Sequence, residues 1–292
     1  MKVNKIALGT AQFGMDYGIN NKRGKIPKKE AIEILKEILK FGINTIDTAY
    51  SYGESETIIG EFIKKYNKKF KIISKLPECN LKEISEIFNL SLKKLNIDKF
   101  YGYLIHNFRH FKENIEIWNF LKRIKLDGKT EKIGFSLYFP HELEDLLRNE
   151  IKIDMIQVPY SIFDQRFAQY FPELKDKNIE IHVRSVFLQG LVFKKLNNLK
   201  GYLAKTKNKI KDLYLFSTES NIPVAALCLN FATLNNFINK AIVGIDSIEN
   251  LIEIVNSSKY LTNTKNVLSS LADFKENDEK IILPINWEIN TR

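Results

Sequence analysis

A closed (β/α)8 barrel, a TIM barrel, is the fold this sequence predicts, and three observations predict it. Short apolar runs alternate with segments whose apolar residues recur at helical spacing along the 292-residue chain, the pattern of parallel strands joined by helical crossovers. There are eight short runs, and eight is the strand number at which a closed cylinder just fills its interior and leaves no open edge. The length suits one such barrel and no Pro-, Gly- or Ser-rich linker divides it, so residues 1–292 read as a single domain.

The elements follow in order. Strands are predicted near 5–10, 43–47, 70–75, 101–106, 131–136, 153–158, 179–185 and 240–244. Helical spacing places Ile32, Leu35, Ile38 and Leu39 on one face after the first strand, and Ile84, Ile87, Phe88, Leu92 and Leu95 on another after the third. Leu143, Leu146 and Leu147 do the same after the fifth. An open, doubly wound sheet lacks its own signature, because no G-x-G-x-x-G follows the first strand and no Lys-Ser/Thr follows Gly9–Gly14. The stretch from Phe193 to about Leu213 reads as a long loop and then a helix, and long loops at a barrel rim tend to be functional lids. The tail from Asn277 to Arg292 reads as an extended segment placed to line a pocket.

Composition narrows the function classes. The formal charge of +10 comes from 45 Lys+Arg against 35 Asp+Glu, which invites a nucleic-acid reading. The lysines, however, come as scattered pairs such as Lys64-Lys65 and Lys93-Lys94 among glutamates, which is a solvated helix surface. Cys79 and Cys228 have no paired spacing and read as reduced thiols. Met1–Gly9 lacks the apolar core of an export signal and no run approaches a membrane span, so a soluble cytoplasmic protein is expected.

Four residues carry the chemistry. Asp47 ends the run Ile43–Ile46, Tyr52 lies five residues beyond it, Lys75 ends Phe70–Ser74, and His106 ends Tyr103–Ile105. In a parallel barrel, residues at the carboxyl ends of strands converge on one rim. A phenol titrates near 10 by itself, and a neighbouring cation favours its phenolate. Lys75 is therefore expected to lower Tyr52, with Asp47 holding Lys75 charged and His106 orienting a substrate oxygen. Such a group suits carbonyl reduction, in which Tyr52 protonates the alkoxide as hydride arrives, and the hydride calls for a nicotinamide cofactor. Tyr50 competes for the acid role from two residues away. No metal-ligand pattern and no G-x-S-x-G nucleophile elbow is present in the sequence, so no metal is expected.

The string Asn44–Glu54, with Ser74-Lys75 and Leu104–His106 after it, resembles the aldo-keto reductase family. The likeness continues through Gly9–Ala11, Gly134–Ser136, Ile156–Ser161, Arg184–Leu191 and Ile242–Ser247, nearly the whole chain. It implies the same barrel, an NAD(P)H-dependent reduction of an aldehyde or ketone, and the catalytic set Asp47, Tyr52, Lys75 and His106. The family's small hairpin before the first strand has little room here, with four residues before Lys5.

The resemblance also implies cofactor contacts. Gly9, Thr10 and Ala11 belong to the cofactor site. Ser136 and Gln157 match partners of the nicotinamide carboxamide, with Leu137 where relatives have asparagine; the alternative for Gln157 is a satisfied amide inside the barrel. Arg184 stands where relatives offer a stacking aromatic, and a guanidinium stacks too or offsets diphosphate charge; its alternative is a pairing with a buried carboxylate. Ser185, Leu188 and Gly190 match the diphosphate loop. Gly244, Asp246, Ser247 and Asn250 open the last barrel helix, whose amino terminus favours anions, although Ser247 also reads as a plain cap. The family default is NADPH, but no Lys or Arg occurs between Gly244 and Glu253, so NADH or dual use is open.

Phe13, Tyr17, Tyr50, Tyr138, Tyr160, Phe163 and Trp287 are candidate pocket aromatics for a small-molecule carbonyl. Two rival functions remain at this stage: a cofactor-binding regulatory or interaction protein on the same fold, and a glycoside hydrolase using Asp47 and Glu54.

Overall fold

The computed structural model describes residues 2–287. Eight parallel strands close into a barrel in sequence order. They are β1 (Ile6–Gly9), β2 (Thr45–Asp47), β3 (Lys71–Leu76), β4 (Phe100–Ile105), β5 (Thr130–Ser136), β6 (Met155–Pro159), β7 (Glu180–Arg184) and β8 (Lys240–Gly244). Closure comes from β1 pairing with β8 across four registered residues, Ile6 with Ala241 through Gly9 with Gly244. Every strand lies within two residues of its predicted start, since each apolar run has to reach from floor to rim.

Alternation along each strand divides two cores. On β3, Ile72 and Leu76 join the large apolar core, whereas Ile73 packs with Leu104 and Met155 in a small separate cluster inside the cylinder. The large core lies between the barrel and its helices. Helix Lys28–Lys40 buries Ala31, Ile34, Leu35 and Ile38, one turn-to-turn stripe worth about 2 kcal/mol for each large side chain taken from water. Its predicted face is rotated slightly, with Ile32 and Leu39 half-buried at the margin. Lysines on the outer surfaces meet nearby acids, as in Lys36 with Glu33 and Lys99 with Glu131. Among the described residues no helix is long and apolar enough to cross a membrane.

The floor is closed without a hairpin. A 3-10 turn, Lys2–Lys5, lies beneath β1 and β8, tied by Lys240 Nζ to the Asn4 carbonyl and by Lys5 Nζ to the Asn235 carbonyl at 2.8 Å. Just above, Glu180 accepts from Tyr101 Oη at 2.8 Å and from Lys132, and lies 2.7 Å from His182 Nε2.

Two expectations change. The stretch after β7 is mostly short 3-10 turns, Leu188–Phe193, Leu196–Asn198 and Gly201–Thr206, before helix Lys207–Ser220. The tail is not extended: it turns through helix Glu279–Ile282 and Pro284–Asn286, and Trp287 is buried with its indole donating to the Ile281 carbonyl at 2.9 Å. A large apolar ring with one satisfied donor belongs in a core. The predicted tail residues 288–292 lie outside the described residues.

Candidate active site

Asp47 ends β2 and Lys75 is the penultimate residue of β3, so both reach the rim from inside the cylinder. Lys75 Nζ donates to Asp47 Oδ1 at 2.7 Å, with side chains only 1% and 4% exposed. The ammonium also donates to the Thr48 carbonyl at 2.9 Å, and Gln157 Nε2 donates to Asp47 Oδ2 at 2.7 Å. Both carboxylate oxygens are thus occupied, the condition under which a buried ion pair is tolerated.

Tyr52 sits in a tight turn, its N–H donating to the Ala49 carbonyl and its carbonyl accepting from Ser55, each at 3.0 Å. Two glycines let this turn seat against the segment after β1. A Cβ at Gly14 would fall 1.7 Å from the Tyr52 carbonyl oxygen, and Gly53, at φ +53°, would bring one to 2.4 Å from the Gly14 oxygen. Hydroxyls brace the same place, Ser55 donating to Thr10 at 2.8 Å and Thr10 to the Asp47 carbonyl at 2.9 Å.

His106 follows β4, its N–H bonded to the Leu76 carbonyl at 3.0 Å. Its ring meets Tyr52 edge-on, centroids 5.9 Å apart at 78°, and its Nδ1 lies 3.4 Å from Ser51 Oγ. Lys75 Nζ lies 5.1 Å from the Tyr52 ring centre. The four residues therefore meet in one place. Tyr50 does not join them: Lys94 of helix Ile84–Leu95 lies over its ring at 4.4 Å, on the barrel's outer side.

The electrostatics differ from expectation. Burial, then the negative charge of Asp47 and the neighbouring Tyr138, push the Tyr52 phenol well above its ordinary value, with Arg184 opposing. The Lys75 ammonium, held 2.7 Å from the Asp47 carboxylate, does not bring the phenol down against these influences. His106 is driven down to about 3 by burial and then by Lys75 and Arg184, so its imidazole is neutral. The set at rest is a protonated phenol, a neutral imidazole and an internally balanced ion pair.

A cleft of about 300 Å³ opens above them, with Asp47, Tyr52, Gln157 and Arg184 on its wall. Gly9, Thr10, Ala11, Ser185, Gly190, Gly244, Asp246 and Asn250 line it as well. Ser136, Leu188 and Ser247 do not. Ser136 and Leu188 are buried behind the wall, and the Ser247 hydroxyl accepts from the Asn250 N–H at 3.1 Å as a helix cap. Leu137 is buried too and offers only its backbone. Of the candidate aromatics, Tyr17 lines the cleft; Phe13, Tyr160, Phe163 and Trp287 are core. Among the described residues no group of His, Cys, Asp and Glu is placed to hold a metal.

The cleft's chemistry fits a dinucleotide. Ser185, Leu188, Gln189 and Gly190 all have positive φ, a compact turn of the kind that presents backbone N–H groups to anions. Gly190, at φ +88°, keeps a side chain out of the space beside Asn20, where a Cβ would stand 3.0 Å away. The Gln157 amide is fixed at the cleft's base by Asp47, and Asp246, Asn250 and Glu253 supply acceptors on the β8 side.

Sequence reasoning placed Tyr17 at the pocket but missed the rest of the loop after β1. Tyr17, Gly18, Asn20 and Asn21 line the cleft and reach the β7 loop, with Ile19 N–H on the Gln189 carbonyl and Gln189 Nε2 on Tyr17 Oη, both at 3.0 Å. The signal was available as a long polar stretch between β1 and the helix at Lys28, at the rim where functional loops gather.

Comparison with known proteins follows the same line. The family model described as "Aldo/keto reductase family" matches residues 5–275. The chain is 28% identical to aldo-keto reductase YhdN of Bacillus subtilis, over 67% of this chain and 62% of that protein. It is 27% identical to the NADH-specific methylglyoxal reductase of Escherichia coli, over 65% of each. The alignments thus span just under two thirds of those two relatives' lengths. In structure it is similar to aldo-keto reductase AKR11C1 of Bacillus halodurans in its holo form, with TM-score 0.74, 21% identity and 94% of each chain covered.

Proposed function

The chain belongs to the aldo/keto reductase family, and from that premise we propose that it acts as one barrel unit reducing a small aldehyde or ketone to an alcohol with a nicotinamide cofactor. The observation that carries this reading is the sealed Lys75–Asp47 pair under Tyr52 with His106 against the phenol ring. A bound NAD(P)H supplies hydride. Tyr52 is the general acid: raised as it is, the phenol stays protonated at neutral pH and is ready to donate to the developing alkoxide. Lys75 stabilises the phenolate left by proton transfer, because its ammonium stands 5.1 Å from the ring centre. Asp47 keeps Lys75 charged and anchored, and the neutral His106 orients the carbonyl oxygen.

The cofactor reading departs from the family default. Asp246 and Glu253 line the cleft, and Arg23, which donates to the Asp246 carbonyl at 3.2 Å, has its charge matched by Glu30 at 2.6 Å. A carboxylate facing an added phosphate costs on the order of 1 kcal/mol at a wet surface, so NADH is expected to bind at least as tightly as NADPH. The relative named for NADH specificity agrees. Titrating both cofactors against protein fluorescence checks this, and a tenfold preference for NADPH would overturn it.

The reductase reading is tested with Tyr52→Phe. Turnover of any carbonyl the wild type reduces should fall by at least about 100-fold, the usual contribution of a positioned acid, while the dissociation constant for NADH stays within a factor of about two to three. Near-normal reduction by the variant would move the acid role elsewhere.

A further inference from the structure

The carboxyl end of β7 holds a charge that the mechanism does not use. Arg184 lines the cleft with Tyr52 and Asp47 and is half-buried. Its guanidinium donates only to neutral acceptors, the Leu137 carbonyl at 3.0 Å and Ser185 Oγ at 3.4 Å, and lies over the Tyr138 ring at 4.0 Å. Among the described residues it forms no ion pair, so the expected alternative of a buried carboxylate partner is not realised.

The other half-buried arginine among the described residues is treated differently. Arg166 meets Asp164 at 2.9 Å and Glu279 at 2.8 Å, the ordinary arrangement when a guanidinium serves the fold. Arg184 is held by a backbone carbonyl and a ring, without an acid. Charge balance points the same way, since Asp47 offsets Lys75 and His106 is neutral. The reacting end of the cleft therefore carries one uncompensated positive charge, partly withdrawn from water, a state that favours an anion arriving from outside.

Besides stacking on the nicotinamide ring, which the resemblance implies and which the NADH-binding readout below tests, two anions are candidates: the cofactor's diphosphate and a group on the substrate. The positive-φ turn at 185–190 is a separate candidate for the diphosphate by its shape, with its Leu188 and Gly190 N–H groups bonded to the Ser185 and Phe187 carbonyls. Arg184 instead exerts its field on Tyr52 and His106, the groups that would meet the carbonyl. We propose that Arg184 is a specificity-determining residue that binds the carboxylate of a carbonyl substrate, so that the preferred substrates are aldehydes or ketones bearing an acid group. The guanidinium's remaining hydrogens are fixed in a planar fork suited to two carboxylate oxygens. This proposal rests on the reductase reading for its substrate, but not for its anion.

The test pairs substrates that differ only in charge: 4-carboxybenzaldehyde with 4-carbamoylbenzaldehyde, and succinic semialdehyde with butanal, assayed by NADH oxidation for the wild type, Arg184→Gln and Arg184→Lys. The wild type should favour the acid member of each pair at least about tenfold in kcat/KM, mainly through KM. That ratio should fall toward one in Arg184→Gln and recover in part in Arg184→Lys, the scale of one charge-assisted hydrogen-bonded contact. A wild-type ratio near one overturns the proposal. So does an Arg184→Gln variant that keeps the ratio but binds NADH tenfold more weakly, which would assign the guanidinium to the cofactor.

A second readout is independent of turnover. NADH-loaded protein is titrated with benzoate and with benzamide, neither of which is reduced. Tighter benzoate binding that is lost in Arg184→Gln supports the anion site even if no carbonyl is consumed, an outcome that would sink the reductase reading alone. Equal binding of the two probes overturns the anion site.

Discussion

Replacing Asp47 with Asn tests the electrostatic core of the site at a single atom. Asp47 offers one oxygen to Lys75 and the other to Gln157, each at 2.7 Å. A carboxamide has one oxygen and one NH2, so it can accept from only one of these donors and must turn its own donor toward the other. Lys75, 1% exposed, would keep the Thr48 carbonyl but lose its counter-charge. Breaking a buried pair from one side costs about 3 to 5 kcal/mol, a large part of the roughly 5 to 15 kcal/mol that holds a protein folded. At roughly 2 °C per kcal/mol for a chain of this size, the melting temperature should drop by roughly 6 to 10 °C. Urea unfolding at pH 7 and thermal melts followed by circular dichroism measure both. The double variant Asp47→Asn/Lys75→Met, which removes both charges, should recover most of the loss. If Asp47→Asn costs under about 1 kcal/mol, or the double variant is no better, then the pair is not held as a buried ion pair and the account of Lys75 fails with it.

Two other predictions follow from the same geometry. Gly14→Ala should lower turnover more than NADH affinity, because the added methyl meets the Tyr52 carbonyl at 1.7 Å and displaces the turn that carries the phenol; unchanged kinetics would show that the turn yields freely. At the floor, burial works to raise Glu180, but hydrogen bonds and charge from His182, Lys132 and Tyr101 bring it down to about 2. A depressed carboxyl stabilises the fold above its ordinary pKa near 4.5 and loses that contribution as pH falls toward 2. The stability gap between wild type and Glu180→Gln in urea should therefore be full at pH 6, on the order of 3 kcal/mol, and shrink below pH 4.5; a gap independent of pH would contradict this.

The barrel was legible because each strand is an apolar run bounded by polar segments, and alternation with helical spacing allows few other topologies. Asp47, Lys75 and His106 were legible for a related reason: a charged or polar residue closing an apolar run marks where a strand meets the rim. The family resemblance, in which the tyrosine lies five residues after the aspartate, favoured Tyr52 over Tyr50, and the structure turns Tyr50 toward Lys94. Ser247 and Leu188 misled because residue type alone does not tell a wall residue from a cap or a buried neighbour when the backbone of the loop forms the wall. The direction of the Tyr52 shift was beyond the sequence, which names the charges nearby but not the burial that outweighs them. The tail escaped because Trp287 and Pro284 serve equally in an extended strap or a packed turn, and only the surrounding surface decides.

One feature of β7 reaches past the reaction. Glu180, His182 and Arg184 alternate along one face of the strand, and among the described residues the small apolar cluster inside the cylinder consists of Ile73, Leu104 and Met155 with Tyr101 packed against it. The staves are thus glued to the outer ring of helices far more than to one another's inner faces. Drift in this protein should be lopsided: helix-facing positions accept one aliphatic residue for another, while the polar, buried axis tolerates few swaps, since its residues answer to specific partners rather than to a volume.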